Sequence, residues 1–301
     1  MKKEPTSSFE CHLPLQMALG ECPTWDADGQ RLYWIDIRSA QIHSLDPAHD
    51  AHDIFALDES VGCIALHEEG GFIAALRSGI WQLDERGRKL RCLAENPEPQ
   101  ATHRFNDGRC DPAGRFWAGT MDEAELTADA HLYRYHAGQL TMMKSGITVS
   151  NGLAFSPDGR YLYHADSPRR IIERFAFDVA SGALGPAERW VALDDVGIAG
   201  FPDGATVDSE GCYWCALYAG GGVARFAPDG RLAAHYPLPV PNPTMIAFGD
   251  RDLCTLYVTT ARQGMSEEAL ARAPLSGSLF SMRVDIPGLE EPRYRETSSM
   301  L

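Results

Sequence analysis

The chain has 301 residues, 44% of them hydrophobic, enough to bury a sizeable core in one large domain or two. Its net charge of −15 argues against a general attraction to nucleic acid phosphates or an anionic membrane surface. No apolar run follows the lysines of "MKKEPTSSFE", and no stretch approaches the roughly 18 apolar residues of a membrane span. A cytoplasmic protein is expected, with neither membrane nor nucleic acid as partner.

In chain order, "RLYWIDI" (31–37), "GFIAAL" (71–76), "RFWAGT" (115–120), "YLYHAD" (161–166), "GCYWCAL" (211–217) and "TLYVTT" (255–260) read as short strands, rich in aromatic and β-branched residues and mostly preceded by turn residues. Only "SEEALARA" (266–273) reads as a capped helix. The eight cysteines read as small buried hydrophobes, and a separation of three puts Cys212 and Cys215 of "CYWC" on opposite faces of a strand, where they cannot share a metal. "AHDAHD" (His49, His52) reads as a solvated loop and "AGGG" (219–222) as a connection. Neither a phosphate loop nor a G-x-S-x-G elbow is present.

Six segments share the form apolar strand, polar turn, aromatic strand: "CPTWDADGQRLYWIDI", "CIALHEEGGFIAAL", "GRCDPAGRFWAGT", "GLAFSPDGRYLYHAD", "GATVDSEGCYWCAL" and "MIAFGDRDLCTLYVTT". The turn glycines of the first five, Gly29, Gly70, Gly114, Gly159 and Gly211, recur at intervals of 41, 44, 45 and 52 residues, room for about four strands per unit. Six such units predict an all-β fold: a six-bladed β-propeller of four-stranded antiparallel blades around a central channel, formed as one domain over residues 1–301. Ring closure is expected to pair "SLFSMRV" (278–284) with "FECHLPL" (9–15).

Counting eight residues back from each turn glycine gives Glu21, Gly62, Asn106, Asn151 and Asp203, and aligning Phe248 with Trp25, Phe155 and Val207 adds Thr244. Equivalent positions in a closed ring lie at similar height and radius, so these residues are expected at the channel mouth. Two carboxylates and two amides meeting there call for a cation, because unpaired buried carboxylates are costly. Oxygen donors without thiolate or imidazole favour a hard divalent ion. One divalent cation is therefore expected on Glu21, Asn151 and Asp203, with Ca²⁺ favoured and Mg²⁺, Mn²⁺, Zn²⁺ or Fe²⁺ as alternatives.

"LGECPTW", "RFNDGRCDPAGRFWAGTM", "SNGLAFSPDGRYLYHADS" and "FPDGATVDSEGCYW", in this order, resemble the family of senescence marker protein (regucalcin), gluconolactonase and luciferin-regenerating enzyme, from about residue 14 to about residue 284. The resemblance implies a six-bladed propeller that hydrolyses sugar lactones with one divalent metal. It carries Glu21, Asn151 and Asp203 over as metal ligands, Asp203 also as the catalytic base, and Arg104 and Asn106 as the substrate-contacting pair. The chain departs from the family after "GTM": Ala124 falls where a substrate-binding glutamate often stands, and Glu123 or Glu125 is expected to substitute. Strand alternation places Asp107 on the face opposite Asn106, bracing the loop or Arg104. The expected substrate is a glucono-, arabinono-, xylono- or galactonolactone, and the expected assembly a monomer or small homo-oligomer. The alternatives are a phosphotriesterase-like hydrolase on the same metal site and a non-catalytic calcium-binding propeller.

Overall fold

The computed structural model describes residues 8–296. Its strands form six four-stranded antiparallel sheets, five of them built in chain order from the channel outward and the sixth completed by the first described strand. Blade 1 is β2 (Gly20–Asp26), β3 (Arg31–Asp36), β4 (Gln41–Asp46) and β5 (Ala51–Ala56), and the chain begins with β1 (Glu10–Leu13), which belongs elsewhere. Blade 2 is β6 (Val61–Leu66), β7 (Phe72–Leu76), β8 (Gly79–Leu83) and β9 (Lys89–Glu95). Blade 3 is β10 (His103–Cys110), β11 (Phe116–Asp122), β12 (Ala130–His136) and β13 (Gln139–Ile147). Blade 4 is β14 (Ser150–Phe155), β15 (Tyr161–Asp166), β16 (Ile171–Asp178) and β17 (Ala183–Ala192). Blade 5 is β18 (Phe201–Val207), β19 (Tyr213–Tyr218), β20 (Gly222–Phe226) and β21 (Leu232–Pro237). Blade 6 is β22 (Pro243–Gly249), β23 (Thr255–Thr260) and β24 (Leu279–Arg283), completed by β1.

The predicted closure is the one observed: Glu10 pairs with Ser281, Cys11 with Phe280 and Leu13 with Leu279. The predicted helix is α1 (Glu267–Arg272), with the Ser266 side chain accepting from the Ala269 N–H at its start. All eight cysteines are free. Among the described residues no helix is long and apolar enough to cross a membrane.

Burial follows radius. The innermost strands β10 and β22 are buried at every residue, because channel and neighbouring blades cover both faces, whereas outermost β21 alternates half-buried and exposed. Between blades the core is aromatic: Trp117 and Trp214, at matching points of the second strands of blades 3 and 5, and Trp34 on the second strand of blade 1 are at most 1% exposed.

The repeated turns are tied by buried acids. Asp111 accepts from the backbone N–H groups of Ala113 and Arg115, from Arg115 Nε at 2.6 Å and from Trp117 Nε1 at 2.9 Å. Asp208 does the same in blade 5 for Glu210, Cys212, Trp214 and Arg225. Gly114 closes the first of these turns at φ +82°, a left-handed conformation that disfavours other residues. Asp111→Ala strands a buried guanidinium and several donors, and is expected to cost about 3–5 kcal/mol in urea unfolding at pH 7.

At this end of the channel the chain supplies its own floor. The segment 285–296 crosses it, with Pro287 O accepting from Ser209 N, Glu291 pairing with Arg109 at 3.2 Å, and buried Tyr294 exchanging backbone hydrogen bonds with Leu66 and Glu68. Arg293 reaches Asp26 and Asp28 of blade 1. With this end crossed, a ligand would enter from the opposite end, where the inner strands begin.

Candidate active site

All six inner strands carry an irregularity in the same place. Their register slips by one residue between Glu21 and Thr24, Val61 and Cys63, Phe105 and Gly108, Asn151 and Ala154, Pro202 and Ala205, and Pro243 and Ile246. Each slip is a β-bulge, which breaks strict alternation and re-aims the neighbouring side chains. The positions singled out by repeat counting lie at these bulges.

Glu21, Asn106, Asn151 and Asp203 are buried to 6–8% exposure. Direct contact links three blades. Arg104 Nη1 donates to Asn106 Oδ1 at 2.7 Å, and Asn106 Nδ2 donates to Asn151 Oδ1 and to the Ser150 carbonyl, both at 2.9 Å. Asn151 Nδ2 donates to Ser167 Oγ at 2.8 Å, and that hydroxyl donates to the Pro202 carbonyl at 2.7 Å, one residue before Asp203. The relay fixes both amide orientations and turns the Asn151 oxygen away from Ser167, with one lone pair left over.

The carboxylates are joined by their charges. Burial, and then the charge of Asp107, pushes Glu21 up to about 8 against a smaller opposing pull from Arg104. Burial, then Glu21, then Asp107, pushes Asp203 well above the ordinary carboxylate range. Among the described residues none of these three acids forms an ion pair within 4 Å, and Asp107 Oδ1 is buried without a hydrogen-bond partner. Burial pulls Arg104 down to about 10, helped by the nearby Arg38, and its Nε has no partner. Three acids crowded with no ion-pair partner within 4 Å, and only the weaker pull of Arg104 and Arg109 against their burial, are what a divalent cation relieves. Among the described residues no three His, Cys, Asp or Glu side chains group closely enough to hold an ion by themselves. Oxygen donors of this kind fit a hard ion.

The two remaining ring positions serve the wall. A Cβ on Gly62 would stand 2.4 Å from the Phe105 backbone, and Thr244 Oγ1 bonds inside the wall to Gly20 O and Thr259. Glu123 lies at the rim, where Arg77 and Arg38 hold its carboxylate. Alternation misplaced Asp107. The bulge after Phe105 keeps Asp107 in the electrostatic reach of Glu21 and Asp203, and its Oδ2 accepts from Leu153 N at 2.8 Å on the neighbouring inner strand instead of bracing the loop or Arg104. Sequence reading also passed over Ser167, Arg38 and Arg77. A signal for the arginines existed: "IDIRS" and "AALRS" end the second strand of units 1 and 2 with the same Arg-Ser pair.

A surface cavity of about 850 Å³ beside Trp25, His12 and Tyr257 contains none of these residues.

Known proteins share this architecture. The profile of the SMP-30/Gluconolactonase/LRE-like region matches residues 19–262. A 6-deoxy-6-sulfogluconolactonase of Pseudomonas putida is 44% identical over 95% of this chain and 98% of its own. A pentonolactonase of Haloferax volcanii is 34% identical over 92% and 94%. The crystal structure of a calcium-binding protein, regucalcin, from Agrobacterium tumefaciens superposes with a TM-score of 0.90 at 30% identity, covering 95% of this chain and 96% of that one. With the profile match spanning most of its length and relatives this similar end to end, the chain belongs to the SMP-30/gluconolactonase/LRE-like family.

Proposed function

We propose that the protein is a divalent-metal-dependent hydrolase that opens the ring of a sugar lactone to the sugar acid. The observation that carries this reading is the meeting of Glu21, Asp203 and the oriented Asn151 amide at the open end of the channel, short of positive charge. The names of the Pseudomonas putida and Haloferax volcanii relatives support the reaction class, and that of the calcium-binding Agrobacterium tumefaciens protein supports Ca²⁺ as the ion.

Glu21, Asn151 and Asp203 would hold the cation, which when bound supplies Lewis-acid polarisation of the lactone carbonyl. Asp203 is the catalytic base: its carboxylate takes a proton from the water whose oxygen bonds to the carbonyl carbon. The bond from that carbon to the ring oxygen then breaks, and the ring oxygen takes up a proton to become a hydroxyl. Arg104 donates hydrogen bonds to the oxygens of the lactone, and Asn106, oriented by Arg104 and Asn151, positions substrate beside them. Glu123 serves substrate binding from the rim through the two arginines it holds. The closed floor keeps the reaction at one end of the channel.

Ser167 sets the Asn151 amide from behind. Ser167→Ala frees that amide to turn, and cation affinity measured by calorimetric titration is expected to fall about tenfold, the usual cost of removing a group that orients a metal ligand.

Acid release from glucono-, xylono-, arabinono- and galactonolactone, and from the 6-deoxy-6-sulfo compound for which the Pseudomonas putida relative is named, tests the reading. Turnover that chelator abolishes and added Ca²⁺ or Mn²⁺ restores is the expected result. An organophosphate opened faster than every lactone assigns the site to phosphotriester hydrolysis. Calcium binding without turnover of either leaves a non-catalytic propeller.

A further inference from the structure

The rim of the channel carries the charge opposite to its throat. Arg38, on the turn between β3 and β4, and Arg77, on the turn between β7 and β8, come from blades 1 and 2 and converge on one acid of blade 3. Glu123 Oε2 accepts from Arg38 Nη1 at 3.1 Å, while its Oε1 accepts from both terminal nitrogens of Arg77. Each guanidinium is anchored from behind as well. Arg38 Nε donates to Gln263 Oε1 at 2.7 Å, and Arg77 Nε to the Gln100 carbonyl at 3.2 Å. The Glu123 backbone is itself pinned, its N–H donating to the Thr102 carbonyl.

Two guanidiniums on one carboxylate leave a net positive charge, and both side chains are partly open, at 41% and 31% exposure. Arg104 adds a third cation nearby, close enough for its charge to be opposed by both. The chain as a whole carries a charge of −15, so this local excess runs against its composition. A lactone ring offers a carbonyl, a ring oxygen and hydroxyls, all neutral, and Arg104 with the amides already serves them. A pair of planar forks held side by side, with terminal N–H groups unused, matches a trigonal or tetrahedral oxyanion. An anionic group could not sit deeper without meeting Glu21, Asp107 and Asp203.

We propose that Arg38 and Arg77, aligned by Glu123, form a subsite for an anionic substituent, a sulfonate, phosphate or carboxylate, at the end of the sugar lactone remote from its carbonyl. The subsite rests on the lactonase reading above and names the feature that selects among lactones. Glu123 acts in it as a positioning residue, holding the two guanidiniums together, while the guanidiniums bind the anion.

The test compares lactones of one ring that differ only at C6, which bears hydroxyl, sulfonate or phosphate or is itself a carboxylate, on wild type, Arg77→Gln, Arg38→Gln and Arg77→Lys. Wild type is expected to favour one charged lactone by tenfold or more in kcat/KM, chiefly through KM, and added salt is expected to shrink the preference. Each Gln variant is expected to lose about tenfold of that charged-to-neutral ratio, the worth of one charge-assisted contact, with Arg77→Lys intermediate because it keeps the charge and loses the fork. Which charged lactone is preferred identifies the anion. In parallel, calorimetry compares glucose with glucose bearing a C6 sulfonate or phosphate, sugars that have no lactone to open. Tighter binding of a charged sugar, lost in Arg77→Gln, supports the subsite even where no lactone is opened. Equal kcat/KM for neutral and charged lactones, or charged sugars that bind no better than glucose, overturns it. Neutral lactones turned over under that outcome leave the lactonase reading standing.

Discussion

Asp203→Asn is expected to lower kcat for lactone opening by about 10³-fold or more, with the propeller intact by circular dichroism and thermal unfolding. The amide keeps an oxygen at the same point but can neither take the proton from water nor bring a negative charge to the cation. Its effect on the fold runs the other way. Asp203 is buried, the charges that act on it most strongly are those of Glu21 and Asp107, and it has no cationic partner within 4 Å among the described residues, so neutralising it removes repulsion. A variant that is inactive and no less stable than wild type when stripped of metal meets both halves of the expectation. Retention of a tenth or more of the activity would remove Asp203 from the base role.

The metal-free protein is expected to lose stability as pH rises across the range where most proteins gain it. Glu21 stands at about 8 in the fold against an ordinary 4.5, and Asp203 is displaced in the same direction. Between those values the folded chain keeps protons that the unfolded chain has released. The stability linked to Glu21 is therefore fully present below about 4.5 and is lost progressively as pH climbs to about 8. Displacements of this size are worth a few kcal/mol, or several degrees in Tm for a chain of this length. A divalent cation competes with the same protons, so its binding should tighten as pH rises and the rise in Tm on adding Ca²⁺ should widen between pH 6 and 8. Thermal unfolding from pH 5 to 8.5, with chelator and with cation, makes the comparison. A chelated protein that becomes more stable with pH, indifferent to cation, would mean that Glu21 and Asp203 do not crowd one another.

Much of this architecture is legible along the chain because a propeller is a repeat, and each repeat carries its own local pattern. The aromatic second strands around Trp34, Trp117 and Trp214 and the turns at Gly70, Gly114, Gly159 and Gly211 recur on a period that only a ring of blades uses economically. The pairing of β1 with β24 follows from the same logic, since a ring with a gap would expose an edge. Repeat register alone sets Glu21, Asn106, Asn151 and Asp203 at the bulges of their inner strands, because equal register in equal units means equal height on the axis. The crossing segment 285–296 escaped notice because it belongs to no repeat and is neither strand nor helix over most of its length.

Residue types, spacing and internal repetition were sufficient for the fold, for closure by the terminal strands and for which polar side chains surround the channel, since each is set by patterns within one unit and by the symmetry among units. The tertiary structure alone showed that a bulge in every inner strand re-aims its side chains, that Asp107 stands within reach of the other two acids, and that Glu123 is clasped by Arg38 and Arg77 from two other blades. The reason is range. A bulge is a response to packing against the neighbouring blade, and an ion pair 46 or 85 residues apart in the chain exists only after the ring has closed.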